Sequence, residues 1–282
     1  MNGARLSPDG HTVAFTSPIG GADEVFVMLP SGGDPLQLTH DEGDKYVDSF
    51  SPDGTEIYYQ HSLGRDEEWA VPTLGGASRR LLSGCGLVPS PDGNSFFYLK
   101  SGSPGIYRAE KTGLSEEKLY SFENPPRVPD WILPFPSGDD LLVAASEQYR
   151  EGRLYKVNVH SHTSTDLGAL SGISRDSAWA EPGKTLLLSR TVNGLTNLWK
   201  YNLADRGLAQ ITFDSGPDSS PMQAPGKKGV YYVNGRSSGF LTAYHVRRKE
   251  RVDIASENAS QPVISPNGRR LSYRQVPRRR EE

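Results

Sequence analysis

Carboxylates at related places in the chain are the residues best placed to do chemistry. Asp44, Asp48, Asp130, Asp176, Asp218 and Glu257 each stand a short way ahead of a proline, at 52, 136, 182, 225 or 266. Gathered around one axis, such acids would supply hard oxygen ligands to a cation such as calcium, or grip a cationic peptide end or a sugar. The competing reading is that they cap their own loops, since Asp readily accepts hydrogen bonds from nearby backbone N–H groups. Trp131 stands beside Asp130, and with Arg65, Arg127, Arg175, Trp179 and Arg236 it supplies the residue types that anchor interfaces. From this set the expected ligand-binding residues are Asp48, Asp130, Trp131, Asp176 and Asp218, at a channel mouth; no catalytic or metal-ligating residue is assigned.

Other combinations carry less. Gly235-Arg236-Ser237-Ser238-Gly239 spells Gly-x-Ser-x-Gly, but a nucleophile elbow needs a strand running into a helix. Here a strand ending at Val233 runs toward another strand. His160-Ser161-His162 could place two imidazoles on one face of a strand, yet no acidic or cysteine ligand adjoins them and a polar turn explains them. The chain has no Cys-x-x-Cys, Walker loop, dinucleotide-binding glycine motif or His-Glu-x-x-His. Its single cysteine, Cys85, closes no intrachain disulfide.

The elements that must position these residues come from an internal repeat. Ser-Pro-Asp-Gly occurs at 7–10, 51–54 and 90–93, and Ser-Pro-Asn-Gly at 265–268; degenerate copies stand at 135–138, 181–184 and 224–227. Proline presets φ, Asp or Asn bonds the local backbone and Gly accepts positive φ, so each copy is a hairpin turn. Asp9, Asp53 and Asp92 are accordingly assigned to structure. Each turn is followed by a strand-like run, as in Glu56-Ile57-Tyr58-Tyr59 or Leu186-Leu187-Leu188. A polar hairpin then leads to a third run, such as Asn197-Leu198-Trp199-Lys200-Tyr201. A fourth, more polar run such as Ala209-Gln210-Ile211-Thr212 closes the unit. Four antiparallel strands in roughly forty residues is the pitch of a propeller blade.

The order of Ser-Pro-Asp-Gly, apolar strand, Gly-containing hairpin, aromatic strand, Gly-Gly and Leu-Thr, seen across Phe50 to Gly76 and Gly32 to Thr39, resembles the WD40-like repeats of TolB-type propellers along essentially the whole chain. The stretch from Thr196 to Tyr273 is also similar to propeller segments of bacterial multidomain signalling proteins. The expected fold is all-β: a single propeller domain over 1–282 with six complete four-stranded blades and a partial seventh, cut from a longer protein.

Thirty Gly and 21 Pro among 282 residues break helices, and the near balance of 31 basic against 34 acidic side chains excludes the strong basic field of a nucleic-acid binder. No apolar run is long enough to cross a membrane as a helix, and Met1-Asn2-Gly3-Ala4-Arg5 lacks the apolar core of a signal peptide. The resemblance implies a noncatalytic scaffold outside the cytoplasm, holding a protein partner or small ligand at its channel face without a cofactor, a channel-bound cation aside. The alternative it implies is a propeller-type lyase or hydrolase, or the gating propeller of a prolyl-oligopeptidase-like enzyme.

Overall fold

A computed structural model describes residues 2–19, 21–123, 125–147, 152–213, 216–227, 229–235, 241–245, 248–255, 259–267 and 270–275. Its only helical turn among the described residues is a 3-10 turn at Pro225–Lys227. The chain divides into two compact units, Met1–Asn234 and Gly235–Glu282.

The first unit contains five four-stranded antiparallel blades, each in the sheet order of the chain. Blade 1 comprises β1 (Asn2–Leu6), β2 (Val13–Ile19), β3 (Ala22–Met28) and β4 (Leu36–Gln37). Blade 2 comprises β5 (Asp44–Phe50), β6 (Glu56–Ser62), β7 (Asp66–Pro72) and β8 (Arg79–Ser83). Blade 3 comprises β9 (Cys85–Pro89), β10 (Ser95–Leu99), β11 (Gly105–Glu110) and β12 (Glu117–Ser121). Blade 4 comprises β13 (Val128–Pro134), β14 (Asp140–Ser146), β15 (Arg153–Asn158) and β16 (Ser164–Ala169). Blade 5 comprises β17 (Ile173–Glu181), β18 (Thr185–Val192), β19 (Leu195–Asn202) and β20 (Leu208–Gln210). The sixth repeat opens with the pair β21 (Asp218–Gln223) and β22 (Val230–Asn234).

The second unit holds two hairpins: β23 (Leu241–His245) with β24 (Glu250–Ala255), and β25 (Ala259–Ile264) with β26 (Leu271–Gln275). The expectation of six complete blades and a partial seventh is therefore corrected: five are complete. The sixth repeat is divided between the units, its first strand pair in one and its second in the other. Burial accounts for its weakness, because Tyr231 and Tyr232 of β22 stay exposed where β18 buries Leu186, Leu187 and Leu188. Less apolar surface leaves water there, and less stabilisation.

The core lies between blades. Val47, Ile57 and Tyr59 pack against Val25 and Val27 of blade 1, Tyr58 and Leu82 against Phe96 and Tyr98 of blade 3, Phe97 and Ile106 against Leu141 and Val143 of blade 4, and Trp131 and Leu142 against Leu186 and Tyr201 of blade 5. Phe15 and Phe26 of blade 1 pack against Met222 of β21. The innermost strands β1, β5, β9, β13, β17 and β21 contact one another in that order, and β21 returns to β1. Six innermost strands thus close a ring within the first unit.

The turns obey one local chemistry. In the first, Ser7 Oγ donates to Asp9 Oδ1 at 2.5 Å, and the same oxygen accepts from His11 N at 3.0 Å while Thr12 N bonds Ser7 Oγ at 2.9 Å. Ser51 with Asp53 and Ser90 with Asp92 repeat it. Asp9, Asp53 and Asp92 are turn residues, as their recurrence implies. Hydrogen bonds from Ser51 and Thr55 hold Asp53 down at about 2.

Each turn also touches the preceding one around the ring. A Cβ on Gly54 would lie 3.7 Å from Pro8, but a Cβ on Gly10 would lie 2.5 Å from Pro225 Cγ. Both glycines have positive φ, +73° and +77°, so alanine strains either backbone by roughly 1 kcal/mol. Only Gly10→Ala adds a clash at the junction that closes the ring. Thermal melts of Gly10→Ala and Gly54→Ala should show a clearly larger loss for the first; equal losses would mean that the first and sixth turns do not meet.

Candidate functional site

Every innermost strand of the first unit carries a bulge at the same level. Gly3 is the extra residue between the pairs Asn2↔Thr16 and Ala4↔Phe15, Asp48 between Val47↔Tyr59 and Ser49↔Tyr58, and Asp130 between Pro129↔Ala145 and Trp131↔Ala144. In β9 the bulge spans Gly86 and Leu87, in β17 residues 174–176, and in β21 Ser220 and Pro221. A bulge bends its strand and re-aims the extra residue. Asp48, Asp130 and Asp176 therefore occupy equivalent places, although the side chains of Arg175 and Asp176 lie outside the described residues.

Asp48 is half-buried, with its Oδ2 shut off from solvent, and faces a second acid, Glu68 of β7, which is fully buried. Glu68 Oε1 accepts a 3.3 Å bond from Leu87 N, while Glu68 Oε2 and Asp48 Oδ2 are buried acceptors with no donor between them. Two ionised carboxylates cannot share such a place, so a proton between these oxygens satisfies both. Desolvation lifts Asp48 to about 6 despite the Glu68 hydrogen bond and the Arg5 charge, which pull the other way. Desolvation and the Asp48 charge lift Glu68 well above the usual carboxylate range. Arg5 of β1 reaches the adjacent innermost strand, its Nε donating to the Asp48 carbonyl at 2.7 Å, and Ser49 Oγ donates to the Leu87 carbonyl at 2.9 Å. The bulge carbonyls thus tie neighbouring innermost strands together.

Why Glu68 lacks a countercharge follows from the repeat. Glu24 and Asn197 precede the third-strand residues Val25 and Leu198, as Glu68 precedes Trp69. At the first junction Lys45 Nζ lies 3.1 Å from Glu24 Oε1 and also donates to the Asp41 carbonyl. Thr39 Oγ1 donates to Glu24 Oε2 at 2.5 Å and accepts from Val25 N at 2.9 Å. Between blade 5 and the sixth repeat, Thr212 Oγ1 accepts from Leu198 N at 2.9 Å and donates to Asp218 Oδ2 at 2.5 Å. Asn234 Nδ2 donates to Asp218 Oδ1 at 2.7 Å. The same latch is built with Lys45 in one junction and Asp218 in the other. In blade 3 its place falls on Gly84, where a side chain would strike Tyr98 and the Leu99 carbonyl at 2.6 and 2.8 Å. No cation reaches Glu68 from that position.

The anticipated binding residues therefore separate. Asp48 sits in the buried pair and Asp218 is fully buried in a latch, both among protein partners. Trp131 packs in the core between blades 4 and 5, with Nε1 buried and without a hydrogen-bond partner among the described residues. Asp130 is half-buried at its bulge. Arg5, Glu68, Lys45 and Glu24 were missed by sequence reasoning; the recurrent Leu-Thr and the acid ahead of the third run were the available signals. His160 and His162 lie in a turn capped by Asn158, whose Oδ1 accepts from His160 N at 3.1 Å and Ser161 N at 2.9 Å. Residues 236–239 of the Gly-x-Ser-x-Gly stretch and Glu257 lie outside the described residues. Among the described residues no three metal-ligating side chains cluster.

Beside the bulges, β1, β17 and β21 enclose a cleft of about 410 Å³ lined by Arg5, Ser177, Trp179, Met222 and Gln223 and by prolines 8, 182, 221 and 225. Trp179 is fixed by an Nε1 bond of 2.8 Å to the Pro134 carbonyl and by Phe135, 5.2 Å away between ring centroids. The acids named above contribute nothing to this lining, and Arg5 is its only charge.

This ring of bulged, four-stranded blades matches solved structures. TolB from Acinetobacter baumannii superposes with a TM-score of 0.66 at 17% identity, over 79% of this chain and 56% of that one. The chain has a TolB-type β-propeller fold. A TolB from Agrobacterium tumefaciens gives 0.55 at 22% identity over 61% of this chain and 66% of that one, so the chain spans between about half and two thirds of these TolB structures. Oligogalacturonate lyase from Vibrio parahaemolyticus gives 0.53 at 11% identity over 86% and 85%. No protein-family model and no curated protein matches the sequence. Among the described residues no helix is long and apolar enough to cross a membrane.

Proposed function

We propose that this TolB-type propeller is a noncatalytic scaffold that binds an extended polypeptide segment at the cleft between β1, β17 and β21. The observation that carries the reading is the lining: one guanidinium, an anchored tryptophan and four prolines drawn from three blades. Trp and Arg are the usual anchors of interfaces, and rigid innermost strands hold them without an ordering cost on binding. Arg5 would meet a carbonyl or carboxylate of the segment while Trp179 and the prolines cover its apolar side chains. The half-buried Asp130 at its bulge is retained as a ligand-facing candidate. A chain of the nidogen–laminin complex has a comparable fold, with a TM-score of 0.62 at 12% identity over 86% of this chain and 92% of that one.

A second reading, a propeller-type lyase or hydrolase, is supported by likeness to oligogalacturonate lyase and to a puromycin hydrolase mutant, the latter at a TM-score of 0.53 and 17% identity. Against it, His61 stands in β6 with Nε2 at 2.6 Å from the Glu42 carbonyl, and His160, in the turn it shares with His162, pairs with Asp139 at 3.2 Å.

A photo-crosslinking residue at Gln223, compared with one at Lys118 on the outer strand β12, tests the site. The scaffold reading expects a polypeptide adduct from position 223 that Ser177→Trp abolishes by filling the cleft, with the melting temperature nearly unchanged. Turnover of an oligosaccharide or peptide that Ser177→Trp abolishes would replace the scaffold with an enzyme. Adducts from position 118 alone would move the surface outward.

A further inference from the structure

A second cleft, of about 460 Å³, opens on the outer side of the ring between blades 3 and 4. Its floor is aromatic: Tyr120 meets Phe122 edge-on at 4.8 Å between centroids, and Phe122 meets Tyr155 at 4.7 Å. Its walls carry Arg127, Arg153, Asp166 and Ser164. The acids here are already committed. Asp166 Oδ2 accepts from Arg153 Nη2 at 2.7 Å and Nε at 3.1 Å, and Oδ1 accepts from Gly168 N at 2.7 Å. Glu123 Oε1 accepts from Ser121 at 2.9 Å. Burial raises the Asp166 carboxyl, but the bonds from Arg153 and Gly168 outweigh it and hold the group below its ordinary range, so it stays ionised and engaged.

The donors are not committed in the same way. The Arg127 side chain is only 14% exposed, its Nε is buried with no partner among the described residues, and its nearest carboxylate, Glu147, stands 3.8 Å away. That distance is too long for a hydrogen bond. Arg153 spends Nε and Nη2 on Asp166 and also interacts with Tyr155, so it adds positive charge to the wall. A largely buried guanidinium with unused donors costs free energy that an acceptor-rich ligand recovers.

We propose that the cleft between blades 3 and 4 is a binding site for a small oxyanion, a carboxylate or a phosphate, gripped by Arg127 and Arg153 above the Tyr120–Phe122–Tyr155 floor. The fork of Arg127 meets two oxygens of the anion, the charge of Arg153 attracts it from the opposite wall, and the aromatic floor accommodates a short carbon skeleton. The site is separate from the cleft between β1, β17 and β21, and neither depends on the other.

The test is calorimetric titration of the full chain with succinate, inorganic phosphate and glucose in a chloride buffer of fixed ionic strength. At least one of the two anions should bind and glucose should not; succinate binding alone identifies a carboxylate site, phosphate binding alone a phosphate site. Arg127→Gln should weaken the binding about tenfold or more, the size expected for a lost charge-assisted pair. Arg127→Lys should fail to restore it, because a point charge lacks the fork. If Arg127→Gln lowers the melting temperature enough to compromise folding, Arg153→Gln, on the more exposed wall, replaces it with the same expectation. Absence of binding by both anions, binding of glucose in their place, or anion binding unchanged by these substitutions would each overturn the proposal.

Discussion

Lys45→Ala is expected to destabilise the chain by about 3–5 kcal/mol, the cost of leaving a buried carboxylate without its partner. Lys45 is fully buried and its Nζ lies 3.1 Å from Glu24, whose side chain is 7% exposed. Thr39 supplies Glu24 with only a hydroxyl. The double replacement Lys45→Met with Glu24→Gln should recover most of the loss, since it removes the charge together with its partner and Gln still accepts from Thr39. Urea unfolding of the three proteins measures this. A loss below about 1 kcal/mol for Lys45→Ala would mean that the latch between the first two blades is solvated and that its counterpart at Asp218 needs another explanation.

The pair Asp48–Glu68 should act in the opposite sense, as a liability at neutral pH. Both folded-state pKa values are raised, Asp48 to about 6 and Glu68 well above its ordinary range. Below the unfolded pKa of about 4 both states hold the protons and nothing is lost. As pH rises the unfolded chain releases its protons first, so it binds fewer than the native chain and stability falls. The fall runs from about pH 4 to beyond pH 6 and amounts to a few kcal/mol. Glu68→Gln keeps the shape and can donate to Asp48 without ionising. Its melting temperature relative to the natural chain should therefore rise steadily from pH 4 to pH 7. Surface carboxylates such as Asp53, held low by Ser51 and Thr55, act in both proteins alike and cancel in the difference. Parallel pH profiles for the two proteins would show that the acids do not share a proton.

These two sites differ at two places, the residue that the next blade supplies and the bulge residue of the same blade, Gly3 against Asp48. The repeat puts Glu24 and Glu68 at the same point of successive blades, but the next blade supplies Lys45 to the first and Gly84 to the second. One junction becomes an ion pair and the other an acid dimer. The charge of Glu24 is thus answered by the blade that follows it, and that of Glu68 is left to Asp48 of its own blade.

Much of the architecture was legible because its causes are local. Proline, Asp and Gly at 8–10, 52–54 and 91–93 direct the chain through a turn whatever lies elsewhere, and the runs that follow alternate or cluster apolar residues as strands require. Tandem copies of one such unit announce blades and their period. Two outcomes depended instead on contacts between strands that no local run of residues fixes. The sixth repeat has the turn and the strand pattern, but it leaves Tyr231 and Tyr232 exposed and is divided between two compact units. That depends on how much apolar surface its neighbours cover. Likewise, Asp48 and Asp218 look like channel ligands when counted back from their prolines, yet the bulges turn Asp48 toward Glu68 and the latch takes Asp218 toward Thr212 and Asn234. Local residue types determined turns, strands and repeat, because their energies are set within a few neighbouring residues. Which buried charges met, and which cleft stayed open, only the tertiary structure decided, because burial and inter-blade register set the cost of every charge and belong to no single segment.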